Sequence, residues 1–172
     1  MKKVILFLIL PLMAVSHANA QKKILFGLGL NDPVGIEQYG GEESHLGFYV
    51  DGIYCINNNI NLDLSVNYES YTSVVKIDNL KYVNNGRSLA VIPSVDYVFN
   101  LKTNTVKPYI GLGLGLSFDN LNTGVFNEGM KCHVTLAPKV GFRIVNHIDV
   151  FARYNITHKD FNRLIIGIGY IF

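Results

Sequence analysis

The 172-residue sequence lacks several things, and each absence closes a class of answer. Beyond residue 20 it has no apolar run of the ~20 residues a helix needs to cross a bilayer, which excludes a helical membrane protein. It has no excess of charge there either. The formal +2 of the whole chain belongs to Lys2 and Lys3, and the other 15 − 2 = 13 basic residues face 13 acidic ones. A neutral chain offers no basic face to phosphates, so nucleic acid is not expected as a partner. Cysteine is almost absent: Cys55 and Cys132 are too few for a disulfide framework. No internal repeat, low-complexity tract or linker-like stretch divides the chain. The histidines beyond residue 20 (His45, His133, His147, His158) fall on separate segments without metal-ligand spacing. One domain, with no metal and no other cofactor, is the expectation.

What is present starts with a leader. Lys2 and Lys3 precede an apolar stretch over 4–15, and Ala18-Asn19-Ala20 supplies a small-x-small cleavage site, the pattern of a cleavable secretory signal peptide. Residues 1–20 are therefore set aside. The remainder, 21–172, has 172 − 20 = 152 residues, the length of one domain.

The rest is rich in apolar residues, but they are interleaved. From Ile60 every second residue is apolar (Ile60, Leu62, Leu64, Val66, Tyr68), and between them stand Asn61, Asp63, Ser65, Asn67 and Glu69. Such alternation marks a strand whose two faces meet different surroundings. Eight segments of this kind are predicted, over 22–30, 45–55, 60–70, 87–99, 106–118, 132–145, 148–157 and 163–172, most near the ~9–11 residues of a tilted membrane strand. In the sixth and seventh the polar face repeatedly carries Lys139, Arg143, Asp149 and Arg153. Fixed charges at that density would ruin a dry sandwich core. Lining a barrel, they can pair with one another and with water. The expected fold is thus all-β: an eight-stranded, antiparallel, up-and-down transmembrane β-barrel with lipid on the apolar side.

Connector lengths agree. Those after the second, fourth and sixth segments are short (56–59, 100–105, 146–147), and those after the first, third and fifth are long. This is the asymmetry between periplasmic turns and extracellular loops, which predicts both termini in the periplasm. Outward aromatics gather at segment ends as two girdles, Tyr54, Tyr97, Phe99, Tyr170 and Phe172 at one and Phe48, Tyr68 and Phe118 at the other. Pro93 and Pro138 interrupt two segments, and because proline has no N–H to give a ladder, a bulge is expected at each.

Three passages carry a resemblance to a known family: Lys107-Pro108-Tyr109-Ile110-Gly111-Leu112-Gly113-Leu114-Gly115, residues 138–143, and the closing residues 167–172. The chain resembles the small outer-membrane β-barrel domain family that includes the OmpA membrane domain and the OmpX/Ail-type surface proteins. The resemblance implies a place in the bacterial outer membrane, among its lipid and lipopolysaccharide, as a monomer. It also implies insertion by the barrel assembly machinery through a C-terminal signal formed by Gly167, Tyr170 and Phe172. It implies no single activity, because one fold hosts adhesins, structural proteins and a few enzymes.

The candidate sites follow. Gly111-x-Gly113-x-Gly115 has neither the spacing nor the following helix of a phosphate-binding loop, and these glycines are read as inward residues that leave room for long side chains. The inward charges Asp63, Glu69, Asp96, Lys139, Arg143, Asp149 and Arg153 are read as a structural network, because eight strands enclose only enough space for side chains. Catalysis is not expected. His133 and Thr135 face the lumen, while Ser44 with His45 and His158 with Asp160 lack a third, orienting group. The outer loops are the expected working surface. Loop 31–44 is acidic, with Asp32, Glu37, Glu42 and Glu43, and loop 71–86 is mildly basic, with Lys76 and Lys81 against Asp78. The functional expectation is a structural or adhesin-like surface role with an unidentified extracellular ligand. The alternatives are a lipid-A-modifying enzyme and a narrow channel.

Overall fold

A computed structural model describes residues 24–34, 42–77, 80–101, 105–122, 127–157 and 162–172, with the backbone alone described at 42–45, 71–77, 80–84, 121–122 and 127–128. Eight strands make one closed barrel in chain order: β1 (Ile24–Val34), β2 (Glu42–Cys55), β3 (Ile60–Ile77), β4 (Leu80–Val98), β5 (Val106–Asn122), β6 (Asn127–Ile144), β7 (Ile148–Asn155) and β8 (Arg163–Ile171). All neighbours run antiparallel, and β1 closes on β8 from Gly27↔Ile171 to Val34↔Leu164. Closure leaves no edge within the wall.

The period-two pattern decides which way each face turns. On β3, Asn61, Asp63, Ser65, Asn67 and Glu69 are buried in the lumen, whereas Leu62, Leu64 and Val66 are exposed outside. The same inversion runs round the barrel, with Leu112, Leu114, Val134, Val140, Phe142, Ile166 and Ile168 all outward. An apolar exterior this continuous requires hydrocarbon around it. Aromatics cap the band in pairs: Phe48 stacks on Tyr68 with centroids 5.2 Å apart, and Tyr97–Phe99 and Tyr170–Phe172 meet edge-on at 5.0 Å.

The lumen is packed. Tyr49, Val98, Tyr109, Phe151 and Ile165 form one buried apolar cluster, and Ala90, Ile92 and Ala137 a second. The large rings fit because they lie against glycine. A Cβ at Gly169 or Gly29 would collide with Tyr49, one at Gly141 with Tyr109, and one at Gly167 with Phe151.

Three expectations need correction. Segment 71–86 is not a loop: β3 and β4 stay paired from Tyr71↔Gly86 to Ile77↔Leu80. The β-branched and aromatic residues Thr72, Val74, Val75, Tyr82 and Val83 suit a pleated ladder, and a register already set in the wall simply continues. The expected loop 31–44 likewise gives Asp32 to β1 and Glu42 and Glu43 to β2, and Glu37 lies outside the described residues. Finally, neither proline makes a bulge. Pro93 pairs with Leu64 and Pro138 with Leu112; on the other side the ladders open, then resume in unchanged register, Val91↔Leu116 to Ser94↔Gly113 and Leu136↔Ile156 to Lys139↔Arg153. Losing one donor opens the ladder on one side without needing an extra residue. The register does shift elsewhere, between His45 and Phe48 and between Asn120 and Asn122.

Candidate functional site

Two regions gather polar chemistry: the lumen and the end where β3 and β4 project. In the lumen, strands far apart in sequence bring opposite charges together. Lys139 Nζ lies 2.7 Å from Asp63 Oδ2 and 2.9 Å from Asp96 Oδ2. Arg143 stands 3.8 Å from both Asp96 and Asp149, and Tyr109 donates its hydroxyl to Asp149 Oδ2 at 3.0 Å. The Tyr109 ring supports both cations, with Lys139 Nζ 5.4 Å and Arg143 Cζ 5.0 Å from its centroid. Higher up, Ser65 donates to Asp51 at 2.6 Å and Arg153 lies 3.8 Å from Glu69.

The network extends past the residues assigned to it from sequence. Arg163 donates through Nε to Glu69 and through Nη2 to Ser88 Oγ at 2.6 Å, and its Nη1 lies 3.5 Å from Asp119. Two steps back from Ile165, Gly167 and Gly169, Arg163 shares their inward face, so counting by two would have found it. Asp119 follows the same rule from Ser117 but falls one residue beyond the predicted end of its strand. Among the described residues, six buried carboxylates (Asp51, Asp63, Glu69, Asp96, Asp119, Asp149) share the lumen with four buried cations (Lys139, Arg143, Arg153, Arg163). A buried charge persists only when paired. The interdigitated ions and rings pack together in the lumen.

Could this cluster do chemistry? Ser117 Oγ donates to Asp119 Oδ2 at 2.6 Å, and His133 Nδ1 approaches the same oxygen at 3.1 Å. Activating a serine requires the imidazole between hydroxyl and carboxylate. Here the carboxylate stands in the middle and is also drawn to Arg163. His133 and Thr135 do face the lumen, with Thr135 Oγ1 3.2 Å from Thr157 Oγ1. His158 and Asp160 lie outside the described residues, as do the side chains of Ser44 and His45. Among the described residues no group of three His, Cys, Asp or Glu side chains is placed to hold a metal ion.

At the projecting end, β2–β3 pairing stops at Glu42↔Ser73 and β4–β5 pairing at Asn85↔Asn122. Beyond them Val74↔Val83, Val75↔Tyr82, Lys76↔Lys81 and Ile77↔Leu80 pair only with each other among the described residues. Four pairs at ~3.3 Å rise per residue make an arm about 13 Å long. The two lysines predicted for the loop surface face each other across it, and Glu42 and Glu43 lie at its base opposite Ser73 and Thr72. Of the C-terminal residues, Gly167 is inward beneath Phe151, while Tyr170 and Phe172 are exposed on the outer face.

The comparisons with known proteins match this architecture. A family model described as outer membrane protein beta-barrel domain matches residues 5–172. Among solved structures, the chain is similar to Ail of Yersinia pestis, with 18% identity, TM-score 0.53, and 87% of this chain and 97% of that one covered. It is also similar to OprG of Pseudomonas aeruginosa, with 14% identity, TM-score 0.59, and 87% and 95% covered. Neisserial surface protein A aligns with 15% identity, TM-score 0.54, and 87% and 96% covered. No curated protein sequence matches the chain.

Proposed function

We propose a surface-interaction role on the premise that this chain belongs to the outer membrane protein beta-barrel domain family and so resides in the bacterial outer membrane. In this reading the barrel is a closed anchor, and the projecting end meets an extracellular partner in a structural or adhesin-like, non-catalytic way.

The observation that carries the reading is the free arm of β3 and β4. A two-stranded ribbon standing in water is marginal by itself. Among the described residues its edges pair with no further strand beyond Glu42↔Ser73 and Asn85↔Asn122, so they can accept an added one, and Val75↔Tyr82 and Ile77↔Leu80 set apolar residues along it. A partner that completes the ribbon would stabilise it. The facing Lys76 and Lys81 add a preference for an anionic partner. Ail has been crystallised with the heparin analogue sucrose octasulfate, at 15% identity and TM-score 0.51 to this chain; that ligand is Ail's own, and it puts sulfated polysaccharide among the probes.

The remaining parts of the reading follow from the same placement. Both termini lie in the periplasm, residues 1–20 are a leader that is removed, and Gly167, Tyr170 and Phe172 are presented to the barrel assembly machinery. The assembled barrel is a monomer in lipid and lipopolysaccharide. To test the role, residues 74–83 are replaced by an Asn-Gly turn, and cells displaying either form are bound to immobilised heparin and matrix proteins. The shortened barrel should insert normally and lose binding. Equal binding by both forms would remove the arm from the function. An altered lipid A mass in cells expressing the protein would move the assignment to a lipid-A-modifying enzyme, and stepwise conductance in planar bilayers would move it to a narrow channel.

A further inference from the structure

At the opposite end, where β2, β4 and β6 turn back, the lumen opens into a vestibule of about 710 Å³. Among the described residues its wall includes Cys55, Asn57, Asn100, Lys107, Arg143 and His147, with no Asp or Glu. Lys107 and Arg143 are direct cross-strand partners on the inward face of β5 and β6. Like charges directly opposite each other on a sheet are destabilising, so this pairing needs a compensating anion nearby.

The protein's own carboxylates meet Arg143 only at 3.8 Å and, among the described residues, do not reach Lys107. Asp96 is drawn to Lys139 at 2.9 Å, and Asp149 accepts from Tyr109 at 3.0 Å. Arg143, only 7% exposed, reaches neither carboxylate closer than 3.8 Å, and its Nε has no hydrogen-bond partner. Lys107 makes no ion pair among the described residues, and none joins the carboxylate of Phe172 to either cation. A neutral donor also lines the wall. Asn57 spends its side-chain oxygen on the backbone N–H groups of Asn59 and Ile60, both at 2.8 Å, leaving its NH2 to be offered. His147 is occupied as wall, its Nδ1 on the Ile171 carbonyl at 2.9 Å.

We propose that this vestibule is a binding site for a small oxyanion of the phosphate or sulfate class, held between Lys107 and Arg143. The anion cancels the facing positive charges, and the fork of Arg143 suits its paired oxygens. The site is independent of the arm and stands whether or not the arm binds a partner.

Cys55 in the wall is a built-in reporter. In a Cys132→Ser background, refolded in zwitterionic micelles, Cys55 is labelled with an anionic methanethiosulfonate and separately with a cationic one. A one-signed cleft concentrates its counter-ion, so the anionic reagent should react about tenfold faster or more, less so at high salt. Inorganic phosphate should slow that labelling saturably, beyond chloride at equal ionic strength. Lys107→Gln should remove most of the preference, whereas Lys81→Gln, at the other end, should leave it unchanged. Equal rates for the two reagents, or slowing neither by free phosphate beyond that of chloride nor in vesicles containing phosphatidylglycerol, would overturn the proposal. Slowing only in vesicles containing phosphatidylglycerol, and not by free phosphate, would support the same chemistry and make a lipid headgroup its source. Backbone amide shifts at residues 57–59 during titrations with phosphate and with phosphatidylglycerol read the site without the thiol, and the absence of a saturable shift in both would also overturn it.

Discussion

Replacing Glu69 by Gln tests whether the lumen behaves as a dry ionic core. Glu69 is 0% exposed, accepts from Arg163 Nε, and faces Arg153 at 3.8 Å. The substitution keeps shape and hydrogen-bonding capacity but removes the charge that two buried guanidiniums share. Breaking a buried pair by deleting one partner costs about 3–5 kcal/mol, because the other charge stays behind. Arg163 retains Asp119 at 3.5 Å and Ser88 at 2.6 Å, so the lower end, about 3 kcal/mol, is expected here. That is roughly a hundredfold in the folding equilibrium. With a urea slope of about 2 kcal/mol/M, the unfolding midpoint should fall by about 1.5 M. The assay is equilibrium urea unfolding in micelles, followed by circular dichroism. Glu69→Gln combined with Arg163→Gln should cost at least ~1 kcal/mol less than the sum of the singles, since the cation stranded by the first change is removed by the second. A single-mutant cost under ~1 kcal/mol with additive behaviour would place the pair with solvent-screened surface bridges and refute the dry-core argument.

Three further outcomes are expected. Gly29→Val should block folding, because a Cβ there lies 2.6 Å from both the Gly169 Cα and the Tyr49 ring, whereas at Gly52 it meets nothing within 4 Å; comparing insertion of Gly29→Val with Gly52→Val checks this, and equal insertion would contradict the packed β1–β8 seam. Val145 holds φ 53° and Asn146 φ 62° in the turn after β6, where His147 N–H donates to the Ile144 carbonyl at 3.1 Å; a β-branched residue is costly there, so Val145→Asn should stabilise by about 1 kcal/mol in urea melts, and no gain would speak against that turn conformation. Both cysteines are free, Cys55 half-buried at the turn end and Cys132 exposed outside β6; the unreduced, denatured protein should take up two maleimides, and a mass showing an intramolecular bond would mean a wrong register.

The wall of the barrel was legible in residues such as Ile60 to Glu69 because a strand's side-chain period is two, and any change of surroundings across it is written into neighbouring residues. The arm was not. Around Lys76 and Lys81 the strict alternation of apolar and polar residues fades, so the segment passes for a loop, although its β-branched residues keep the ladder going. The bulges expected at Pro93 and Pro138 failed for a related reason: a missing donor is a local fact, but whether the chain inserts a residue or merely opens the ladder depends on what the neighbouring strand can absorb.

By itself, then, the sequence determined the eight strands, the inward and outward sets, and seven of the ten buried charges that the described residues place in the lumen. Only the tertiary structure decided which charges meet. Lys139 finds Asp63 across 76 positions and Arg163 finds Glu69 across 94, pairings set by the stagger of strands round a closed barrel. The same stagger leaves Lys107 facing Arg143 at the vestibule while the carboxylates turn to other partners. Parity is a property of one strand and can be read locally. Register around a closed circle is fixed by all eight strands together, and no single segment contains it.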